Sequence, residues 1–286
     1  MKRKKPPEER PGCLYLVATP IGNLEDITLR ALRVLREADV IACEDTRQTQ
    51  KLLSHYEISK RMVSYHEHNE MTRAAELVIE LEQGAQVALV SDAGTPGISD
   101  PGHRLVTLCQ RHGIRVMPVP GPSALIAALA VSGLPADEFV FVGFLPPRSG
   151  ERRRALQRLA TEKRTIAFYE APHRLVEMLG DAAETLGARP AVVAREVTKL
   201  HEEFVRGTLP ELAERFAKKP PLGEITLLVG PGEPAPIVTP KISLPERVEE
   251  LMRLQQLDHK AALKQAAKER GLSKRDAYRV LLSDRQ

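Results

Sequence analysis

The chain has 286 residues, with 42 lysines and arginines against 38 aspartates and glutamates, for a formal net charge of +4. That length accommodates two domains with sizeable cores, and no apolar run approaches the roughly 20 residues that a bilayer-spanning helix requires. The charge is uneven: residues 1–10 carry +3 and residues 241–286 carry +4, which leaves the middle at −3. Basic ends of this kind suit a polyanion such as RNA.

The basic residues after Met1 are not followed by an apolar segment, so residues 1–10 read as a disordered basic arm and not as a secretory signal. Residues 14–18 read as a short strand, followed by the turn Thr19-Pro20-Ile21-Gly22-Asn23. Asp26 or Thr28 then caps an amphipathic helix through Glu37. The next strand, 40–43, ends at Glu44-Asp45-Thr46-Arg47, and a helix runs from about 47 to 55. A short strand near 61–63 and a helix over 70–83 precede the apolar strand 87–90.

The segment from Ser91 to Gly102 holds three glycines, two prolines and two aspartates between that strand and a helix starting near His103. Glycine permits positive φ and close backbone approach, and proline stiffens the loop. A loop at the carboxyl end of an α/β strand is where open sheets bind ligands. Asp100 with Pro101 also reads as the capped start of the following helix.

A strand over 114–119 and the segment Pro120-Gly121-Pro122-Ser123 lead into an alanine-rich helix, 124–131. After a break at Gly133-Leu134-Pro135, a second set begins with the strand 139–144 and an arginine-rich helix, 151–159. The strand 165–168 ends in Tyr169-Glu170-Ala171-Pro172-His173-Arg174, and a helix follows to about 186. The strand 191–194 runs into Arg195-Glu196-Val197-Thr198-Lys199. Residues 203–207 are set to pair antiparallel with that strand or with the last one, 224–229, and a helix over 210–218 lies between. The alternation implies an α/β fold with largely parallel sheet: two α/β/α domains, 11–121 and 122–231, with a cleft between them. Residues 232–244 form a proline-rich linker, and three helical stretches in 245–286 make a basic module resembling a helix-turn-helix.

The sequence has no G-x-G-x-x-G, P-loop or G-x-S-x-G pattern, which argues against the common dinucleotide, nucleotide triphosphate and hydrolase sites. It has instead a series of polar clusters, each at a strand end, and in parallel sheets those ends converge on one cleft. His66 and His68 lie two apart with no third ligand in view, so no metal is expected. Cys13 and Cys43 fall in apolar runs, and the odd set of three with Cys109 reads as reduced thiols of a cytoplasmic protein.

Six segments in order carry a resemblance: residues 16–26, Cys43-Glu44-Asp45-Thr46-Arg47, residues 91–102, Val119-Pro120-Gly121-Pro122-Ser123-Ala124, residues 169–174 and residues 195–199. Together they resemble the ribosomal small-subunit methyltransferase I family, a branch of the tetrapyrrole (class III) methylases, over 12–231. The resemblance implies S-adenosylmethionine as cofactor and, as substrate, the ribose 2′-hydroxyl of a cytidine in the decoding region of 16S ribosomal RNA. It also implies a homodimer. Carried over by motif, Asp92, Ala93, Gly94, Thr95 and Pro96 form the cofactor loop, with Pro20 at the cleft floor. Pro122, Ser123 and Ala124 close one side, while Tyr169, Ala171 and the strand start at Glu224 and Thr226 lie near adenine and ribose. Ala171 stands where serine is frequent, a departure that leaves the class unchanged.

Methyl transfer to a hydroxyl needs alignment, removal of a proton and neutralisation of flanking phosphates. Glu44, Asp45, Glu170 and Glu196 are candidate bases, with Glu44 or Asp45 favoured because Arg47 can orient either one. The same pairing would lower the carboxylate's pKa and weaken it as a base. Arg47, His173, Arg174, Arg195 and Lys199 are candidate phosphate clamps. Two other readings stand beside this one: a tetrapyrrole methylase of the same fold, and a non-catalytic RNA-binding assembly protein. The basic ends favour an RNA substrate over a tetrapyrrole.

Overall fold

A computed structural model of the chain describes residues 10–232, 243–255, 257–269 and 277. The basic arm up to residue 9, most of the linker and, apart from Ala277, the third C-terminal helical stretch lie outside the described residues. The described residues form two units, 1–232 and 233–286.

The first unit contains two five-stranded sheets. The first sheet comprises β1 (Cys13–Val17), β2 (Val40–Cys43), β3 (Arg61–Ser64), β4 (Gln86–Val90) and β5 (Arg115–Val119) in the order β3-β2-β4-β1-β5, all parallel. Its inner strand β2 and residues 87–90 of β4 are apolar and buried throughout because both faces are covered, as parallel sheets require. Side-chain alternation sorts the two faces. Leu14, Val40, Ala42, Val87 and Leu89 pack under α3 (Glu70–Glu82) and α4 (His103–Arg111). Val17, Ile41, Cys43, Ala88 and Val90 pack under α1 (Leu29–Glu37) and α2 (Thr46–His55).

This arrangement has one consequence for ligand binding. The chain steps outward from β1 to β3 with helices on one face, then returns through β4 to β5 with helices on the other. The reversal falls at β1 and β4, where α1 and α4 leave on opposite faces and open a crevice at the strands' carboxyl ends.

The second sheet comprises β6 (Phe139–Phe144), β7 (Thr165–Glu170), β8 (Pro190–Arg195), β9 (Glu203–Thr208) and β10 (Ile225–Val229) in the order β6-β7-β10-β8-β9. Only β6 and β7 are parallel; the other three pairings are antiparallel. The expectation of a largely parallel architecture therefore fails here. β9 takes the first of its two predicted partners, β8. Because β10 runs against both β7 and β8, its start lies beside their ends: Ile225 is opposite Glu170 and Arg195.

One face of this sheet packs on α6 (Ser149–Arg158), α7 (Leu175–Leu186) and α8 (Leu209–Lys218) through a core that includes Phe168, Val193 and Leu227. The other face is covered by α5 (Ala124–Ser132) through Leu125, Ala128 and Leu129, packed on Ala167, Val192 and Leu228. A buried arginine joins α6 to α7. Arg152, 1% exposed, donates to Asp181 at 2.7 Å and to the carbonyl of Pro147 at 3.0 Å.

Local signals set the helix ends. Thr28 caps α1 by accepting from the Ala31 N–H, and Ser123 caps α5. Asp100 caps nothing: α4 starts at His103 with Gly102 at its N-cap and no side-chain cap. In the second unit, α9 (Leu244–Gln255) and α10 (His259–Glu269) pack through Val248, Leu251, Ala262 and Ala266, joined by Ala277. Ser243 and Glu246 form a reciprocal capping pair at the start of α9.

Phe168 is fully buried in the second sheet's core. Phe168→Ala is expected to lower unfolding stability by about 3–5 kcal/mol in urea denaturation, and a loss below about 1 kcal/mol would place this ring outside the core.

Candidate active site

Three loops meet at the crevice of the first sheet. After β1, Thr19 pairs with Gly94 through two backbone hydrogen bonds, Thr19 N–H to Gly94 O at 2.8 Å and Gly94 N–H to Thr19 O at 3.0 Å. The Thr19 hydroxyl donates to Ser91 O at 3.1 Å. After β2, the Asp45 N–H donates to Asp92 Oδ1 at 3.0 Å. The loop after β4 is thus held on both sides. Gly94 and Gly97 have φ of +82° and +81°, the left-handed region that glycine enters without a steric penalty. The segment before α5 closes in behind: Thr95 Oγ1 lies 3.5 Å from Pro122 O, and a Cβ on Gly121 would sit 3.0 Å from that of Ala18.

The second sheet meets this loop directly. Gly143 sits at a bulge in β6 with φ +74°, and a Cβ there would lie 2.9 Å from Ser99 Oγ. Between the sheets lies a cavity of about 400 Å³. From the first half, its walls include Ile21, Asp92, Ala93, Gly94 and Thr95. Ser123 and Ala124 come from the start of α5. Tyr169, Ala171, Glu224 and Thr226 come from the ends of β7 and the start of β10.

Most of the expected cofactor positions therefore lie around one cavity. Pro20 lines a neighbouring depression together with Asp92, Ala93, Lys51 and Lys199. Pro96 is buried and Pro122 contributes its carbonyl to Thr95; neither lines the cavity. Phe168 and Tyr169, adjacent in sequence, separate by alternation: Phe168 enters the core, and Tyr169 lines the cavity with its ring edge-on to Phe141 at 5.0 Å. Sequence reasoning missed Phe144, Val197, Ser99 and Asp100 as cavity residues. Phe144 obeys the strand-end rule, but it is an apolar residue with no polar cluster to mark it.

The proposed bases and clamps are placed unevenly. Of the two acids that Arg47 is expected to orient, it pairs with Asp45 at 2.9 Å and not with Glu44. Its side chain is 87% exposed. Hydrogen bonds from Arg47 draw Asp45 down to about 2, which makes it a weak base. Neither residue lines the cavity. Glu44 lines a separate depression beside α4, and burial raises its pKa, with Asp92 adding to the effect.

Glu170 is 2% exposed, accepts from the Ala171 N–H at 2.8 Å and lies 3.2 Å from Arg174 Nε; its Oε2 is buried without a partner. Burial raises its pKa against the pull of the Ala171 N–H and Arg174. Arg174 also donates to Leu145 O at 2.6 Å, and Arg195 is paired with Glu203 at 3.3 Å. Lys199 bridges Glu196 at 2.9 Å and Glu224 at 3.3 Å, and the Lys199 hydrogen bond lowers Glu196. His173 is exposed. Among the described residues no group of three or more His, Cys, Asp or Glu is placed to hold a metal.

The Tetrapyrrole (Corrin/Porphyrin) Methylases family model matches residues 13–213. The ribosomal RNA small subunit methyltransferase I of Halalkalibacterium halodurans is 49% identical over 280 residues, covering 94% of each chain. The chain belongs to the ribosomal RNA small subunit methyltransferase I branch of the tetrapyrrole methylase family. The enzyme of the same name from Thermotoga maritima is 54% identical over 218 residues, covering 76% of this chain and 98% of its own. Among solved structures, uroporphyrin-III C-methyl transferase from Thermus thermophilus, complexed with S-adenyl homocysteine, is 25% identical with a TM-score of 0.56, covering 77% of this chain and 97% of its own. These matches show the tetrapyrrole methylase fold.

Burial pushes Asp100 up to about 7, with Glu44 and Asp92 adding to it. A carboxyl raised in the folded state destabilises the fold as it ionises, so its contribution falls between about pH 4 and pH 7 and stays low above. Asp100→Asn is therefore expected to stabilise the protein relative to wild type at pH 8 and not at pH 4, measured by urea denaturation at both values. An equal difference at the two pH values would contradict the burial of a titrating carboxyl there.

Proposed function

We propose that the chain uses S-adenosylmethionine to methylate the ribose 2′-hydroxyl of a cytidine in the decoding region of 16S ribosomal RNA. The observation that carries this reading is the cavity built by the loop after β4 and the ends of β7 and β10 in a chain 49% identical to a ribosomal RNA small subunit methyltransferase I.

The cavity suits a cationic adenosyl cofactor. Asp92 lines it with no ion-pair partner among the described residues, and the buried Glu170 Oε2 lacks a donor. Those groups gain from a ligand that brings positive charge and N–H donors. The apolar wall of Ile21, Ala124, Tyr169 and Ile225 matches a purine and its ribose. When bound, the cofactor supplies an electrophilic methyl group on a sulfonium.

The protein's own residues supply position. The Thr19–Gly94 pair fixes the loop backbone, so Ala93, Gly94 and Thr95 present a preformed wall. Glu170 and Arg174 tie the end of β7 to the end of β6 through Leu145 O, which sets where Ala171 and Tyr169 stand. On the RNA side, Lys199 at the rim of the neighbouring depression and the exposed His173 are the forward phosphate contacts. Arg174 and Arg195 act from behind, through the pairs they already hold. The net positive charge of residues 241–286 adds non-specific attraction for RNA.

The protein acts as a homodimer. Helix α5 is apolar on every side, and such a helix is normally covered all round. Leu125 and Leu129 are buried on the second sheet, while Ile126 and Val131 are 53% and 50% exposed. A second copy is the occupant that fits this outer face.

Calorimetry is expected to show S-adenosylmethionine binding to the full chain and at least tenfold weaker binding to Gly94→Val, since a branched side chain at positive φ costs about 1–2 kcal/mol and displaces the loop. Mass spectrometry of nuclease-digested ribosomal RNA from cells lacking the protein is expected to miss one methylated cytidine ribose; an unchanged digest would defeat the RNA reading, and transfer to uroporphyrinogen would favour the tetrapyrrole alternative. In sedimentation velocity the wild type is expected to run as a dimer and the Ile126→Glu/Val131→Glu double variant as a monomer. A wild-type monomer at micromolar concentration would refute the dimer.

A further inference from the structure

The cavity between the sheets is not isolated. Beside it, along α4, lies a second depression of about 650 Å³, large enough to admit a nucleotide. The two share a wall made by Ser99 and Asp100. Asp92, Asp100, Glu170 and Glu224 line the first, and Glu44, Glu67, Glu70 and Asp100 line the second. Asp100 is the carboxylate common to both.

We propose that Asp100 is the general base of the methyl transfer, taking the proton of the ribose hydroxyl where the two cavities meet. The proposal rests on the reading of the chain as a ribose methyltransferase. Geometry separates Asp100 from the other acids. Asp92 Oδ1 is occupied by the Asp45 N–H, and Glu170 holds the Ala171 N–H and Arg174. Asp45 and Glu196 are bound by Arg47 and Lys199. Glu44 lines only the second depression, and of all these acids Asp100 alone lines both.

Its position follows from the loop's construction. Ser99 has φ +61°, and Gly102 has φ +151° with a would-be Cβ 3.1 Å from Leu89 Cδ2. The turn therefore doubles back before α4, and Asp100 is carried to the shared wall in place of capping the helix. The groups around it are Glu44 after β2, Asp92 and Ser91 after β4, Tyr169 at the end of β7, and His103 and Arg104 at the start of α4. Burial and the two nearby carboxylates raise its pKa to about 7, against the Ser91 hydroxyl, which lowers it. A base with that pKa is half ionised near neutral pH and still draws a proton effectively.

The step balances without a further reactant. The hydroxyl proton passes to an Asp100 carboxylate oxygen, and the O–H bonding pair remains on the ribose oxygen. That oxygen forms the bond to the methyl carbon as the carbon–sulfur bond breaks, its pair going to sulfur. Asp100 then releases its proton to solvent.

The test uses the full chain with small ribosomal subunits from cells lacking the protein. Single-turnover methyl transfer is followed from pH 5.5 to 9 for wild type, Asp100→Asn and Asp100→Glu, with S-adenosylmethionine affinity measured separately by calorimetry. The wild-type rate is expected to rise to a plateau with an apparent pKa near 7. Asp100→Asn is expected to lose about 100-fold or more in rate and its pH dependence, while cofactor affinity stays within about fivefold. Asp100→Glu is expected to restore part of both rate and profile. A rate for Asp100→Asn within threefold of wild type, or an unchanged pH profile, overturns the assignment. So does a loss of cofactor affinity as large as the loss of rate, which would make Asp100 a binding group. Absence of transfer by the wild type would overturn the methyltransferase reading along with it.

Discussion

The two backbone hydrogen bonds between Thr19 and Gly94 are the constraint on which the rest of the site depends. They join the loops that leave β1 and β4, the two strands where the winding of the first sheet reverses. A crevice at such a reversal is a property of the topology; what converts it into a shaped wall is that its two lips are stitched to each other. Asp92 extends the stitching to the loop after β2, and Pro122 to the segment after β5. Four connections of one sheet thus share a small set of polar contacts. The carbonyls and N–H groups that a free loop would leave to water are paired within the protein, which keeps the loop backbone ordered at the ligand's edge.

Charge in the site follows a different logic from charge on the surface. Other carboxylates of the described residues hold an arginine or a lysine in an ion pair, as Glu80 holds Arg61 and Glu162 holds Arg164. Asp92, Asp100 and Glu44 form no ion pair among the described residues, and Asp92 adds to the raised pKa of the other two. Such a cluster costs stability in the empty protein and is relieved by a cation.

Much of this was legible in the sequence, for identifiable reasons. Short apolar runs marked β2 and β4 as strands, and the turn residues of 91–102 marked the candidate site because glycine and proline leave a local signature. The placement of β10 between β7 and β8 was not legible, since strand order arises from long-range pairing that no local pattern encodes. Nor could spacing show which of two adjacent acids Arg47 would engage; Asp45 takes it because Asp45 caps α2 and turns toward its first N–H groups. Asp100 misled for a related reason. An aspartate before proline is a common helix start, and only the doubled-back path at Ser99 and Gly102 carries it elsewhere.

Gly143 bears on how the two halves of the first unit face each other. It lies where β6 passes the Ser99 hydroxyl, and an added Cβ there would stand 2.9 Å from that oxygen at a φ of +74°. A side chain at this position would have to turn the hydroxyl aside and hold a backbone angle that L-residues rarely adopt. The seam beside the cavity is in this sense kept by a residue outside its lining.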